Sequence, residues 1–556
     1  MANVLRIIPL GGLGEVGKNM MAIEYGKNIL VIDAGVMFPE NDMLGIDLVI
    51  PDFGYLLDKR EFIRGIIVTH GHEDHTGALP YLLKEVSAPI YASKLTLGLV
   101  KVKLKRAKLI EETEFHTVQS GDMVTIGPFS VEFFRVNHSI PDGLGLAIHT
   151  PAGLIIHSGD FKFDHTPVDG LTTDFAKLAQ LGNEDVMVLL ADSTNTESQG
   201  FTPSERVVEE AFDKIFQEAP GRVIVATFAS LISRVQQAVN CAVRSDRRVA
   251  FVGRSMLDNV HMSQELGYLD IPPDVVVKVG ELHRLKPQEI VIVATGSQGE
   301  PSSALARMAR GEITGPKPVQ IVPGDTVVIS AQPIPGNEEM VNRTINRLFQ
   351  RGANVIYSEI ARVHVSGHAS QEEQKLLLDL VRPRYFVPIH GELRQLHQHA
   401  RLAHEMGFPE DHVFVVENGQ VLEFEDGKGR MAERVPGGYI FVDGSGVGDI
   451  GPAVLRDRDA LAQDGFVVAV VHVNLRTGEF VERPELISRG FVYRRSAEEL
   501  LEDACDMIME EVDRMAALQG GLSREQASDL VAHTLARYFH DETKRRPMII
   551  PVVVEE

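Results

Sequence analysis

Short apolar runs separated by turn residues dominate the chain from residue 4 to about residue 200. LRIIPL, NILVID, GIIVT, APIYA, GPFSVEFFRV, LGLAIHT, GLIIHSGD and VMVLLAD are brief and rich in β-branched and aromatic residues, and they predict strands. Helical periodicity intervenes over 77–86 and 95–104. Strands interleaved with helices predict a layered α/β domain built on a sandwich of sheets.

The rhythm changes at residue 201. SERVVEEAFDKIFQEA reads as a helix with Ser204 as its N-cap, followed by the strand RVIVATFA, the helix LISRVQQAVNCAVRS and the strands RRVAFVG, IVIVATG and DTVVISAQ. This alternation predicts a second domain on a mainly parallel sheet. The first style returns at Asn354 with NVIYSE, QEEQKLLLDLVRP and YFVPIH, so the second domain is inserted into the first. The polar stretch EFEDGKGRMAERVPGG reads as a linker. Beyond it, four strand-like runs and the amphipathic stretches SAEELLEDACDMIMEEVDRMAAL and SREQASDLVAHTLARYFHDE predict a third unit. The expected organisation is a split first domain over 1–200 and 356–430, an insert over 201–355, a linker over 431–450 and an α/β C-terminal domain over 451–556.

Composition narrows the class. Hydrophobic residues make up 44% of the 556, enough to bury substantial cores. The formal net charge is −23, which weighs against nonspecific coating of nucleic acid or anionic membrane. Two cysteines, Cys241 and Cys505, supply neither a disulfide framework nor a Cys-rich zinc module and fit a reducing compartment. The opening residues are too briefly apolar for a signal peptide, and no apolar run reaches the ~18 residues of a membrane span. A cytoplasmic protein without a membrane partner is expected. The 20 histidines are unevenly placed.

GIIVT runs into His70-Gly71-His72-Glu73-Asp74-His75, which sets histidines and an aspartate on one strand-to-helix loop. Both residue types bind zinc and other first-row divalent metals, and such a loop can aim alternate side chains at different ions. Asp33, His138, Asp160 and His390 each stand at the end of an apolar run. Functional groups gather on such loops, held by a rigid scaffold.

This ordered set resembles the metallo-β-lactamase superfamily, an αββα sandwich. The resemblance implies that His70, His72 and His138 hold one metal and that Asp74, His75 and His390 hold another. It also implies that Asp160 bridges the two and that Asp33 supports them from behind. Asp192 in LLADSTN, His368 in HVSGHAS and His390 in PIHGE are similar to the motifs of the β-CASP group, whose inserted domain serves nucleic-acid chemistry. GGLGEVGKN, THGHEDHTGALPYLL, GDFKFD, ATFASLISRVQQ, ATGSQGEPSSALARMA and ISAQPIPGNE extend the likeness to the ribonuclease J family. GGLGEVGKN itself lacks the P-loop pattern and reads as a structural turn.

The resemblance implies a metal-dependent ribonuclease of RNA maturation and decay, a 5′-to-3′ exonuclease on 5′-monophosphorylated RNA with endonuclease activity. A hydroxide bridging two divalent ions, zinc or manganese, would attack phosphorus. Asp74, His368 and Asp192 would be catalytic. His368 would act as general acid, and Asp192 would orient a histidine or hold the loop. Ser230, Ser366, Gly367 and His368 would bind the substrate phosphate. His364 would either share that face or point away from it. The rival functions are a small-molecule hydrolase, a DNA nuclease and a catalytically silent RNA-binding scaffold. Expected partners are single-stranded RNA, a second copy of the chain as a homodimer or dimer of dimers pairing through the C-terminal helices, and other RNA-decay proteins. Lys101, Lys103, Lys105, Arg106 and Lys108, with Arg234, Arg244, Arg247 and Arg248, are the cationic positions available for a limited RNA channel.

Overall fold

A computed structural model describes residues 4–312, 319–477, 479–492 and 498–555. Tyr493, Ser496, Ala497 and Glu556, at the ends of expected elements, lie outside them. The chain divides into two units by internal contacts, one of 1–38 with 49–440 and one of 39–48 with 441–556.

In the first unit, eight strands form one sheet in the order Lys428–Arg434, Gln420–Glu425, Leu5–Gly11, Met20–Tyr25, Asn28–Ile32, Ile63–Ile67, Ile90–Ala92 and Phe115–Thr117. Six more form a second sheet in the order Tyr385–Ile389, Val186–Asp192, Gly153–His157, Leu144–Thr150, Phe129–Arg135 and Met123–Ile126. Side chains alternate across a strand, so every strand of the second sheet except the edge strand Met123–Ile126 feeds two cores. Val131, Phe133, Ile155, Leu190 and Val387 meet Ile7, Ile23, Leu30 and Ile67 of the first sheet. Phe134, Ile156, Leu189 and Phe386 face outward onto Leu178, Leu377, Leu378 and Ala400 of the covering helices. This is the sandwich expected of the superfamily.

The insert is a five-stranded parallel sheet in the order Arg248–Val252, Ile290–Ala294, Val223–Ala226, Thr326–Ile329 and Asn354–Ile356. Val223, Val225 and Val293 bury one face against Phe212, Val235 and Ala238, while Ile224, Ile292 and Val327 bury the other against Leu305, Met308 and Leu348. Asn354–Ile356 therefore completes the inserted sheet instead of resuming the first domain. Its pairing partner Thr326–Ile329 is the preceding strand, joined to it by the helix Glu338–Gln350, so it continues the strand-helix alternation of the insert.

The expected linker also differs. Gln420–Glu425 and Lys428–Arg434 form an antiparallel hairpin on the edge of the eight-stranded sheet. Lys428–Arg434 is polar because both its faces remain largely open to solvent, as edge strands tolerate. The helix expected over 95–104 extends over Lys94–Ala107, so Lys101, Lys103, Lys105 and Arg106 lie within it and Lys108 is its C-cap. The N-cap of Arg206–Glu218 is Glu205, not Ser204, although the Ser204 hydroxyl accepts from Arg206 N–H at 3.2 Å.

In the second unit, Glu485–Arg489, Phe466–Val473 and Met548–Glu555 form a three-stranded sheet. Val467, Ala469, Val471 and Val473 bury one face against Ala504, Ile508, Val512, Val531, Leu535 and Phe539 of the helices Glu498–Gln519 and Arg524–Thr543. The stripe Ala504–Ile508–Val512 is thus core, with Leu500 and Leu501 packed on it. Ile487, Ile550 and Val552 stay exposed on the sheet. Cys505 is buried, and its thiol donates to Pro484 O at 3.2 Å.

Candidate metal centre

Six strands of the two sheets end on one side and deliver the chemistry. Asp33 follows Asn28–Ile32, His70 follows Ile63–Ile67, His138 follows Phe129–Arg135, Asp160 follows Gly153–His157, Asp192 ends Val186–Asp192, and His390 follows Tyr385–Ile389. The loop after Ile67 makes one tight turn, with His72 capping the short helix Glu73–Thr76. Gly35 admits that helix: a Cβ there would stand 1.6 Å from Asp74 O. Gly367 is likewise pressed on His138, 2.7 Å from its ring were a Cβ present.

Three donor groups result, each with its ligand atoms within 4.8 Å of one another: His70, His72 and His138; Asp74, His75, Asp160 and His390; and Asp160, Asp192, His368 and His390, which shares two members with the second. In the first, His72 Nδ1 lies 3.1 Å from both His70 Nε2 and His138 Nε2. His138 Nδ1 donates to Gly367 O at 2.7 Å, so a neutral ring turns a bare Nε2 lone pair inward. Burial, and then the neighbouring histidines, hold His70 and His138 well below the usual imidazole range. His72 is pushed down to about 4, mainly by burial.

In the second group, His75 Nδ1 donates to Asp33 Oδ2 at 2.8 Å, which aims Nε2 at Asp160 Oδ2, 3.2 Å away, and Asp74 Oδ2, 3.5 Å away. Asp33 is itself fixed, since its Oδ1 accepts Thr69 N–H at 2.8 Å. His390 Nδ1 meets Asp160 Oδ1 at 2.9 Å, and its Nε2 stands 3.4 Å from Asp74 Oδ2. Asp160 Oδ2 is also 3.7 Å from His70 Nε2 and 3.8 Å from His138 Nε2, so this carboxylate lies between the first two groups.

The donor set fits divalent cations. Asp160 Oδ2 and His390 Nε2 are buried without a hydrogen-bond partner. No lysine or arginine pairs with Asp33, Asp74, Asp160 or Asp192 among the described residues; their ionic partners are histidines. Burial favours neutral imidazoles at His75 and His390, yet Asp160 with its neighbours raises both, His390 to about 10. Those protons occupy the place of positive charge that a metal would fill, so binding expels them and weakens in acid. Asp74 and Asp160 are held well below the carboxylate range, with burial opposed by these same histidines.

His368 and Asp192 stand beside this cluster. His368 Nδ1 donates to Asp192 Oδ2 at 2.7 Å and lies 3.9 Å from Asp160 Oδ2. Asp192 is placed for both tasks expected of it: Oδ2 accepts from His368, and Oδ1 accepts Thr194 N–H of its own loop at 2.9 Å. Burial lowers the affinity of His368 for a proton, but the Asp192 carboxylate outweighs it and raises the pKa. The Ser366 hydroxyl accepts His368 N–H at 3.1 Å, which closes the turn before the helix Gln371–Val381. Ser370 caps that helix.

The chain belongs to the ribonuclease J family. It is 43% identical over 552 residues to "Ribonuclease J 1" of Streptococcus pyogenes, covering 99% of this chain and 98% of that one. It is 40% identical over 551 residues to "Ribonuclease J2" of Bacillus subtilis, with the same coverage. "Ribonuclease J" of Synechocystis is 46% identical over 490 residues, 88% of this chain and 76% of the relative. Family models match along the chain: a beta-lactamase superfamily domain over 28–215, a ribonuclease J beta-CASP domain over 220–348, a Zn-dependent metallo-hydrolase RNA specificity domain over 354–416 and a ribonuclease J C-terminal domain over 453–556. A crystal structure of a protein of unknown function from Enterococcus faecalis shares the fold over 76% of this chain, at a TM-score of 0.56 and 15% identity.

Other expected positions are placed differently within this ribonuclease J fold. Ser230 lies in the turn before the helix Ile232–Arg244, and its hydroxyl neither caps that helix nor bonds to the His368 loop among the described residues. His364 lies among Arg234, Glu205, Lys162 and His368, pushed down to about 3 by burial and then Arg234. Most of the cationic positions are engaged. Arg234 is fully buried, Arg247 donates to Gly221, Phe216 and Ala219 carbonyls, and Arg244 pairs with Glu209 and Asp213. Arg248 pairs with Asp274, Arg106 with Asp258, and Lys103 with Glu73 at 2.8 Å. Sequence reasoning missed Thr69, which grips Asp33, and Asn19, whose amide donates to Asp74 O at 3.2 Å and lies 3.1 Å from His75 Nε2. Asn19 closes the GGLGEVGKN turn, and a polar residue ending a glycine turn was the available signal.

Asp33→Ala is expected to weaken metal binding by about 10–100-fold, as loss of a ligand's orienting partner does. Chelator competition would read this, with circular dichroism unchanged.

Proposed function

We propose that this chain is a metal-dependent ribonuclease that degrades 5′-monophosphorylated RNA from the 5′ end and also cleaves internally. The observation that carries the reading is Asp160, set between two donor groups beside the His368–Asp192 pair, in a chain of the ribonuclease J family. His70, His72 and His138 would hold one divalent ion and Asp74, His75 and His390 a second, with Asp160 shared. Zinc suits the imidazoles, and manganese suits the carboxylates. When bound, the ions supply Lewis-acid charge that makes water nucleophilic near neutral pH and offsets charge on the phosphate oxygens.

The chain's own residues do the rest. Asp33 keeps His75 in the tautomer that leaves Nε2 bare. Asp192 holds His368 by Nδ1, so Nε2 is free to give a proton to the departing 3′-oxygen. Ser366 and Gly367 place a hydroxyl turn beside that proton donor, a fitting cradle for phosphate. Ser230, on the inserted domain, is the remaining phosphate ligand of this proposal. The half-open C-terminal sheet with Ile487, Ile550 and Val552 supports pairing of two chains, now through the sheet instead of the helix stripe. No helix among the described residues is long and apolar enough to cross a membrane. We place the protein in the cytoplasm on its low cysteine content.

The test is digestion of matched 5′-monophosphate RNA and DNA strands with zinc, manganese or magnesium. Mononucleotides released from the RNA 5′ end are expected. Shortening only from the 3′ end removes the polarity, and intact RNA beside hydrolysed lactam or thioester removes the ribonuclease.

A further inference from the structure

Three cations that no step above uses are fully buried, Lys18, Lys162 and Arg234, and the last two meet one another through a shared carboxylate. Lys162 lies two residues beyond Asp160. Its Nζ donates to Ser366 O at 3.2 Å and Pro203 O at 3.3 Å. Arg234 comes from the inserted domain. Its Nη1 donates to Val363 O at 2.9 Å and to the Ser330 hydroxyl, its Nε to Gln237 Oε1 at 2.8 Å, and its Nη2 to Glu205 Oε2 at 2.6 Å. Glu205 joins the two cations, with Oε1 3.6 Å from Lys162 Nζ. The backbone of 363–366 is therefore gripped at both ends, by one cation from each domain, just before Gly367 packs on His138 and His368 meets Asp192.

Buried ion pairs contribute little stability over apolar packing, so their presence calls for a geometric reason. We infer that the Lys162–Glu205–Arg234 network is a positioning device that sets the Val363–His368 segment against the metal centre and so aligns His368 with the leaving 3′-oxygen. The inference rests on the proposed role of His368 as proton donor. Apolar side chains of equal length would fill the same space but would not fix two carbonyls in direction.

The experiment compares the wild-type protein with Arg234→Lys, Arg234→Met and the double variant Arg234→Met/Glu205→Gln, which removes the carboxylate that the single change leaves bare. Each acts on a 5′-monophosphate RNA and on the same RNA with sulfur in the 3′-bridging position, whose thiolate departs without a proton. Metal content and melting temperature are measured alongside. The double variant is expected to fold with full metal, to lose about 100-fold in kcat on the oxygen RNA, as a misplaced group does, and to lose far less on the sulfur RNA. Arg234→Lys, which keeps the charge and folds without a bare carboxylate, is expected to show the same split to a smaller degree. Equal losses on the two RNAs, or unchanged kcat on the oxygen RNA in either folded variant, overturn the inference. Absence of turnover by the wild-type protein on either RNA overturns the functional reading itself and is seen before any variant is compared.

Discussion

Asp160→Asn is expected to abolish RNA turnover and to release metal while leaving the fold intact. Asparagine keeps the size of the side chain and one oxygen but removes the charge. In the native site Oδ1 meets His390 Nδ1 at 2.9 Å, and Oδ2 lies 3.2 Å from His75 Nε2 and within 3.8 Å of His138 Nε2. One substitution therefore strikes all three donor groups. The loss should exceed the about 10–100-fold expected of Asp33→Ala, because in the proposed site Asp33 orients a ligand whereas Asp160 would be one. Elemental analysis after gel filtration would give the metal content. The metal-free protein offers an independent check. His390 owes its rise to about 10 to Asp160 against burial, so in the variant its ring should titrate at much lower pH by NMR. Full metal content with turnover near that of the wild-type protein would show that Asp160 does not bridge.

The meeting of the candidate donors was legible because Asp33, His70, His138, Asp160 and His390 each end an apolar run, with His72, Asp74 and His75 on the loop that His70 opens, and strands of like direction in two facing sheets end on the same side. What joins those members was not legible. The His75–Asp33 bond spans the distance between adjacent parallel strands, and the His368–Asp192 bond joins residues on either side of the insert. Depth was the second blind spot. Arg234 and Arg247 look like neighbours of Arg244 and Arg248 in sequence, yet helix and strand turn the first two into the core and the others outward. Lys162 sits in GDFKFD beside a metal-ligand candidate, and its burial follows only from the approach of Pro203 and Ser366. The hairpin at Gln420–Arg434 was read as a linker because its outer strand has no apolar face to show. The strand Met20–Tyr25 was missed for the opposite reason: it is buried on both faces and has no alternation.

His368→Ala should lower kcat on RNA by about 10²–10⁴-fold, the usual contribution of general acid catalysis, with metal content unchanged. The pH profile distinguishes this from loss of a packing residue. His368 must carry its proton to donate it. Its pKa lies above the ordinary 6.5 because the Asp192 carboxylate outweighs the opposing effect of burial. Activity should therefore be full below that raised pKa and fall as pH rises through it. Asp192→Asn removes the charge that raises the pKa and leaves burial to lower it, so the alkaline limb of kcat should move to lower pH. At neutral pH the variant then holds less of the acid form and turns over more slowly. The acid limb, set by protonation of the metal ligands, should stay where it is. An alkaline limb that is unmoved in Asp192→Asn, or still present in His368→Ala, would assign the proton to another group. A limb that shifts in the first and vanishes in the second makes the pair one device, with the carboxylate setting the pH at which the imidazole works.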